Sequence, residues 1–343
     1  MTCKNRMLIL LVAILPAGIG STLAQENNPG PFLGMWALTL DYENNNAGWL
    51  EVTQKEGYLD SEILWRWDVV YPVDFTFING DQLFLVHGRD VIRERDSEGN
   101  PVRTTHPVEY HEISVNGDLL DGWAHFPNNN GLGVVSVHFT GKRIPPIEKV
   151  KRTGKMKFGE PVALFNGKDL NGWELVDPNT ANGWKVVEGI LVNDPVEHAG
   201  EGHTNYGNLR TKETFGDFNL KVEVNVPEGS NSGIYLRGNY EVQVMDSYGS
   251  EPNIRNMGAL YGRVTPLGKA EKPAGEWQHF DITLYQRHLT VILNGKKIIN
   301  NHPVKGITGG ALTSDDFSPG PIYLQGDHGK VSYRNIVLTP VAK

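Results

Sequence analysis

The chain has 343 residues, 39 of which are glycine, and a formal net charge of −8 at pH 7. This acidic balance argues against nucleic acid or an anionic membrane surface as the partner. Cys3 is the single cysteine of the sequence, so each folded domain must rely on its own hydrophobic core and not on disulfides. The glycines occur in many NG, DG and GN pairs, which favour tight turns and an all-β fold.

Residues 1–24 have the pattern of a secretory signal peptide. Lys4 and Arg6 precede an apolar run of about a dozen residues, and small residues lead up to Ala24, after which we expect cleavage. The run is too short for a membrane span, and no later stretch approaches that length. We therefore predict a periplasmic or secreted protein without membrane insertion, whose mature net charge is about −10 because cleavage removes two basic residues.

The first predicted domain, residues 31–141, consists of short segments in which apolar and polar residues alternate. Such segments occupy residues 36–42, 48–54, 73–80, 81–88, 111–120 and 134–143. Strands at this even spacing predict a meandering antiparallel β-barrel or sandwich. The pattern is similar to lipocalin-like barrels, in which a Gly-x-Trp motif lies near the first strand, here Gly34-Met35-Trp36.

Trp65 and Trp67 are two positions apart in the segment SEILWRWDVV, so a continuous strand would place both indoles on one face. Two interpretations follow. The indoles fill the interior of the barrel, or they form a stacking platform for sugars. Residues 142–159 come next; they contain Pro145-Pro146 and many basic residues, and we predict a linker there.

The second predicted domain covers residues 160–341. Leu220, Val222, Val224 and Val226 alternate with polar residues, and the Asn294-Gly295 pair predicts a hairpin turn between two further strands. Together with the strands around residues 321–338, these segments predict a sandwich of two packed sheets with one face left free.

The segment NSGIYLRGNYEVQVMDSYG, residues 231–249, contains two alternating runs. Val242 and Val244 are expected on one face of a strand, while Glu241 and Gln243 are expected on the other. A carboxylate and an amide beside Tyr235 indicate either an ordinary solvated surface or the floor of a binding groove.

Seven segments of the second domain occur in an order that closely resembles the 3-keto-disaccharide hydrolase domain family. They are LFNGKDLNGW, TFGDFNLKVEV, NSGIYLRGNYEVQVMDSYG, GALYGRVTP, GEWQHFDI, VILNGK and PIYLQGDHGKVSYRNI. The resemblance implies a concanavalin A-like jelly-roll sandwich and the cleavage of glycosides whose glucose is oxidised to a ketone at C3. One departure is local, because Gly326 stands between Gln325 and the Asp327-His328-Gly329 turn.

When the sugar has a ketone at C3, its cleavage requires fewer catalytic groups. The ketone acidifies the hydrogen on C2, so a single base can form an enolate, and the substituent on C1 can then leave by β-elimination. Glycosidases that use two carboxylates need both in one groove, about 5 to 10 Å apart. The strand around Glu241 supplies one acid in phase, since the positions that share its face are Gln243 and Met245.

This chemistry assigns roles to the residues that match the family motifs. Glu241 is the candidate base, although an exposed or arginine-paired strand acid is the alternative. Arg237 and Gln243 are candidates for holding the enolate or the hydroxyl groups, unless Arg237 and Glu241 form a cross-strand pair. Tyr235 and Tyr261 could donate hydrogen bonds or stack on the sugar. The further candidates are His328, which could protonate the leaving oxygen or bind a metal, and Gln325, which shares a face with Tyr323.

The sequence alone leaves both the cofactor and the exact activity open. A divalent metal is possible, with Glu241, Asp246, His203 and His328 as available ligands, but no pair has a typical ligand spacing. The partner is expected to be an oxidised glucoside or disaccharide. A non-catalytic carbohydrate-binding module and an ordinary glucanase are the alternatives, because jelly-roll folds host all three.

Overall fold

The computed structural model describes residues 27–44, 46–148, 156–195 and 204–342. The predicted signal peptide lies outside the described residues. Every element of regular structure in the described part is a β-strand, which confirms the all-β prediction. No helix among these residues combines the length and the apolar character that crossing a membrane requires.

The strands of the first domain are, in chain order, β1 (Gly34–Leu40), β2 (Ala47–Lys55), β3 (Tyr58–Trp65), β4 (Tyr71–Pro72), β5 (Phe75–Asn79), β6 (Gln82–Gly88), β7 (Val91–Arg95), β8 (Pro101–Thr105), β9 (Val108–Asn116), β10 (Leu119–Pro127) and β11 (Val134–Ile144). Eight of them form a closed antiparallel barrel in the order β2-β1-β11-β10-β9-β6-β5-β3, because β3 pairs back with β2. The predicted meander is therefore confirmed, with β7 and β8 as a separate two-stranded ribbon.

The Gly-x-Trp motif lies in β1, and its tryptophan belongs to the buried core of the barrel. Trp36 is fully buried, its Nε1 donates to the carbonyl of Phe32 at 2.9 Å, and the guanidinium of Arg143 lies 4.1 Å from its ring centroid. Residues 142–144 were predicted to begin the linker, but they belong to β11, where Ile144 pairs with Met35. The prediction was wrong there because a basic residue can continue a strand when its side chain covers an aromatic ring.

The strands of the second domain are β12 (Val162–Ala163), β13 (Trp173–Leu175), β14 (Trp184–Val187), β15 (Ile190–Asn193), β16 (Leu209–Thr211), β17 (Phe218–Asn225), β18 (Asn231–Leu236), β19 (Tyr240–Met245), β20 (Trp277–Tyr285), β21 (His288–Leu293), β22 (Lys296–Pro303), β23 (Tyr323–Leu324) and β24 (Val331–Pro340). They form two sheets. The larger has the order β14-β15-β24-β17-β20-β21-β22, with β12 beside β24, and the smaller has the order β13-β16-β23-β18-β19.

The two sheets pack face to face around one apolar core, as the predicted concanavalin A-like sandwich requires. Leu220, Val222 and Val224 of the larger sheet face Val242 and Val244 of the smaller one, and all five are at most 2% exposed. Each such side chain stabilises the fold by roughly 1.5–3 kcal/mol relative to exposure. The second face of the smaller sheet is thereby left for polar side chains.

The barrel and the sandwich meet in a cluster of buried apolar residues that both domains supply. Met35, Trp49 and Leu64 of the barrel pack with Ile307 and Ala311 of the sandwich. Trp49 is 1% exposed and its Nε1 donates to the carbonyl of Lys305 at 3.1 Å. A buried indole with a satisfied donor fixes one domain on the other.

Candidate functional site

The free face of the smaller sheet carries two rows of residues across three neighbouring strands. In the first row Tyr323, Tyr235 and Glu241 lie side by side, because Tyr235 pairs with both of the others. In the second row Gly233 pairs with Gln243, and the backbone N–H of Gln325 donates to the carbonyl of Gly233. Residues of both rows line a cleft of about 510 Å³, a size typical of small-ligand sites.

Glu241 lies on the floor of this cleft and is 3% exposed. Its neighbours Val242 and Val244 are fully buried in the core, so the predicted alternation of β19 is confirmed. The carboxylate leans over Gly233, where a Cβ atom, if present, would overlap Oε1 and would lie 2.9 Å from Cδ. Gly233 therefore leaves the space that the carboxylate occupies, as an internal strand glycine often does.

The environment of the Glu241 carboxylate raises its pKa to about 8, from an ordinary value of 4.5. The main cause is burial, which disfavours the charged form, while a hydrogen bond from Tyr235 acts in the opposite direction. No cationic side chain in the described part of the chain lies within ion-pair distance of this carboxylate. Glu241 is thus a carboxyl group that titrates near neutral pH, as general bases often do.

Tyr235 connects this carboxylate to the loop before β23. Its hydroxyl lies 2.9 Å from Glu241 Oε2 and 2.8 Å from the carbonyl oxygen of Gly309, and its ring stacks on Tyr323 with centroids 4.1 Å apart. The hydroxyl has one hydrogen for two acceptors. When Glu241 is protonated it can donate to Tyr235, which donates to Gly309; when Glu241 is ionised, Tyr235 can turn its hydrogen to the carboxylate.

His328 reaches the cleft from the glycine-rich loop between β23 and β24. Its Nδ1 lies 2.5 Å from Asp327 Oδ1, and this hydrogen bond raises the imidazole pKa more than burial lowers it. The loop is held by Asn193, whose amide donates to the carbonyls of Gly326 and Gly329 at 2.6 and 3.0 Å. Asp327 and His328, which follow Gly326, both line the cleft.

Three further predicted residues line the same cleft. Gln243 is 3% exposed and accepts a hydrogen bond from the backbone of Val244 at 3.1 Å. Gln325 has a buried Oε1 that finds no hydrogen-bond partner among the described residues, so its amide can bind a polar ligand group. Tyr261 lies at the rim, where Arg255 Nη1 donates to its hydroxyl at 3.2 Å.

Arg237 is not brought to the cleft, contrary to the prediction that it binds substrate. Its Nη2 donates to the carbonyls of Asp316 and Ser318 at 2.6 and 2.8 Å, and the side chain is 6% exposed. The alternative pair with Glu241 does not form either. The reason is local, because Arg237 has a positive φ of 54° and begins the turn before β19, where strand alternation stops.

The described residues contain no group of three or more His, Cys, Asp or Glu side chains that could hold a metal ion. Asp246, one of the proposed ligands, accepts a hydrogen bond from the backbone of Gly229 at 3.0 Å. His203 lies outside the described residues. The metal site thus stays a prediction.

Several residues that line or support the cleft were not assigned to it from the sequence. Gly233 could have been found, since a glycine inside a strand signals close approach of another group. Asp327 could have been found as the neighbour of a loop histidine. Trp67 of the barrel was considered for sugar stacking together with Trp65, but its place in this cleft could not be predicted, because strand alternation put both indoles on one face. Arg66 has a φ of 72° and ends that alternation, so Trp65 packs against Phe139 while Trp67 lines the cleft.

Comparison with known proteins gives relatives for the second domain. A 3-keto-disaccharide hydrolase from Bacteroides thetaiotaomicron is 23% identical over 168 residues, which are 41% of this chain and 58% of that protein. The chain thus spans less than two thirds of the length of this relative. A predicted glycosyl hydrolase from Parabacteroides distasonis has a solved structure that is 29% identical, with a TM-score of 0.43, covering 57% of this chain and 93% of that one.

The model of one protein family matches residues 160–339, just over half of the chain. The match covers both sheets of the sandwich, including the strands that carry Glu241 and the loop that carries His328. The chain therefore belongs to the family of 3-keto-alpha-glucoside-1,2-lyase-like domains.

Proposed function

We propose that this protein cleaves 3-keto-glucosides or 3-keto-disaccharides by C2 proton abstraction, β-elimination and hydration. The observation that carries the proposal is the buried carboxylate of Glu241 on the floor of a polar cleft, with a pKa raised to about 8 and no cationic partner among the described residues. The family supports the substrate class, since its description names a 3-keto-glucoside lyase.

In the first step the ionised carboxylate of Glu241 takes the proton from C2 of the oxidised sugar. The electron pair of the C–H bond moves into the C2–C3 bond and onto the ketone oxygen, giving an enolate. A carboxylate with a pKa of about 8 is a stronger base than an ordinary one, and roughly a tenth of it is ionised at pH 7. The amides of Gln243 and Gln325 can donate to the enolate oxygen or to the neighbouring hydroxyl groups.

In the second step the enolate expels the substituent on C1, and a double bond forms between C1 and C2. His328 in its imidazolium form gives a proton to the departing oxygen; Asp327 keeps the imidazole pKa raised and thereby favours this form. Neutral His328 then takes a proton from the water molecule that adds to C1 of the enone, and C2 regains a proton from Glu241, whose carboxyl group exchanges with solvent before this step. The products are a 3-keto-hexose and the free leaving group, so the sum is a hydrolysis.

Incubation with 3-keto-trehalose in D₂O tests this sequence of steps. We expect cleavage with deuterium incorporated at C2 of the keto-sugar product, which proton NMR detects. Trehalose itself should be unchanged, because without the ketone the C2 hydrogen is not acidic. Cleavage of trehalose at a similar rate would indicate an ordinary glycosidase. Binding of 3-keto-trehalose without exchange or cleavage would indicate a carbohydrate-binding module, and either result would overturn the proposal.

We also propose that the mature protein begins after Ala24 and acts in the periplasm or outside the cell. The basic start and the short apolar run of residues 1–24 support this localisation. N-terminal sequencing of the protein from cell fractions is the test. A start at Gln25 in the periplasmic or secreted fraction is expected, and an intact residue 1 in the cytoplasmic fraction would contradict it.

A further inference from the structure

One wall of the cleft is formed by residues of the barrel. Trp67, which follows β3, lines the cleft together with Glu43, Asn44 and Asn46, which lie between β1 and β2. These residues lie outside the part of the chain that the family model matches. The cleft is therefore completed by a domain that the family model does not match.

Trp67 presents an exposed indole ring at the cleft. Its side chain is 57% exposed, and the guanidinium of Arg66 lies 4.2 Å from its ring centroid and 3.8 Å from that of Tyr42. Arg66 also donates to the carbonyl of Asn44 at 3.4 Å. A cation on one face holds the indole in place, which lowers the entropy cost of using the other face for a ligand.

The loop that carries Trp67 makes close backbone contacts with the segment between β22 and β23, which lines the cleft. A Cβ on Gly309 would overlap the carbonyl oxygens of Trp67 and Asp68, so this glycine permits the contact. Gly309 is also the residue whose carbonyl accepts from Tyr235. Asp68 forms an ion pair with Arg255 at 3.3 Å, and Arg255 in turn holds the hydroxyl of Tyr261. The barrel loop and the catalytic floor thus form one continuous packed unit.

We propose that the barrel forms a subsite for the leaving group, in which Trp67 stacks on the pyranose ring that departs from C1. The side chains of Glu43, Asn44 and Asn46 can meet hydroxyl groups of this second sugar. The keto-sugar must place C2 over Glu241, among the polar groups of the sandwich, and the opposite wall then meets the other ring. This subsite rests on the proposed function, because it divides the cleft around the C1–O bond that is cleaved.

The test compares two substrates that differ in the leaving group, 3-keto-trehalose and methyl 3-keto-α-glucoside. In Trp67→Ala we expect KM for 3-keto-trehalose to rise about 10-fold with kcat within about 2-fold, because stacking on one aromatic ring contributes on the order of this factor. The methyl glycoside, which has no second ring, should keep its kcat/KM within about 2-fold. Trp67→Phe, which keeps an aromatic face, should recover most of the loss.

Trp123→Ala is the matched control, since Trp123 is a barrel tryptophan that is 46% exposed, packs beside His138 and does not line the cleft. It should leave both substrates unaffected. An equal loss for both substrates in Trp67→Ala, or no loss for either, would overturn the leaving-group subsite while the proposed function stands. A wild-type protein that is inert towards both keto-sugars would instead overturn the proposed function.

Discussion

Two buried carboxyl groups of the sandwich have nearly the same exposure but opposite surroundings. Glu241 is 3% exposed and has Tyr235 as its side-chain hydrogen-bond partner. Asp316 is 1% exposed and accepts from the Tyr240 hydroxyl at 2.8 Å, with Arg287 at 3.9 Å. Burial raises the pKa of both groups, but at Asp316 the charges of Arg287, Arg263 and Arg237 oppose this shift.

The two carboxyl groups show that burial alone does not decide how costly a buried negative charge is. Asp316 has arginines that compensate its charge, so it fixes the segment that also holds Arg237. Glu241 has no such compensation from the part of the chain that the structure describes, so burial makes its negative charge costly and favours the protonated form. We therefore expect substitutions at the two positions to have opposite consequences for stability and activity.

The largest effect is expected for Glu241→Gln. Loss of the base should lower kcat on 3-keto-trehalose by about 10³-fold or more, while calorimetry should show that the ligand still binds. The free energy of unfolding, in contrast, should be higher in the variant than in the wild type. Between pH 4.5 and about 8 the Glu241 carboxyl group keeps its proton in the folded chain but has lost it in the unfolded chain. The free energy of unfolding of the wild type therefore falls by about 1.4 kcal/mol per pH unit over that range.

The glutamine variant lacks this titration. Urea unfolding at pH 5 and at pH 8 should therefore show that the advantage of Glu241→Gln over the wild type grows with pH. Full activity of the variant would remove Glu241 from the mechanism. A difference in stability that is independent of pH would contradict the raised pKa.

Asp316→Asn is the counterpart and should act mainly on stability. The substitution leaves Arg263 and Arg287 without their buried counter-charge, which costs about 3 kcal/mol or more. Urea unfolding at pH 7 measures this loss. The folded fraction should still cleave 3-keto-trehalose with a kcat close to that of the wild type. A stable variant without activity would show that the distinction between the two carboxylates is wrong.

Gly233→Ala tests whether the space over Gly233 positions the Glu241 carboxylate for its proposed role as base. The added methyl group would overlap Glu241 Oε1, which is the end of a flexible side chain and can move aside. We expect kcat to fall by about 10- to 100-fold, because a displacement of about 1 Å is sufficient for such a loss, with less than about 1 kcal/mol change in stability. Gly216→Ala is a suitable control, since a Cβ there meets no atom within 4 Å.

Tyr235→Phe should give the smallest change, a shift in the pH profile. In the wild type kcat/KM should rise with pH through about 8, as Glu241 ionises. The hydrogen bond from Tyr235 lowers the pKa of Glu241, so its removal should move this rise to higher pH and reduce kcat/KM at pH 7 by about 10-fold. A rise near pH 4.5 in the wild type would show that an ordinary carboxylate controls the rate.

Local patterns were sufficient to predict the all-β fold class, with a barrel followed by a sandwich, and much of the floor of the cleft. Alternation on β19 separated Glu241 and Gln243 from Val242 and Val244, because the side-chain period of a strand is two residues in any sequence. The same rule failed at Arg66 and Arg237. Both have positive φ values, so neither continues a strand, and the side chains beyond them change direction.

Short-range periodicity and ordered motifs were enough to establish the all-β class, the family of the second domain and the face of β19 that carries the acid. Only the folded chain shows that Glu241 is buried with no cation beside it among the described residues, that Gly233 makes room for it and that Trp67 completes the cleft. These properties depend on contacts between residues far apart in the chain, and the solvation of a carboxylate is set by everything packed around it.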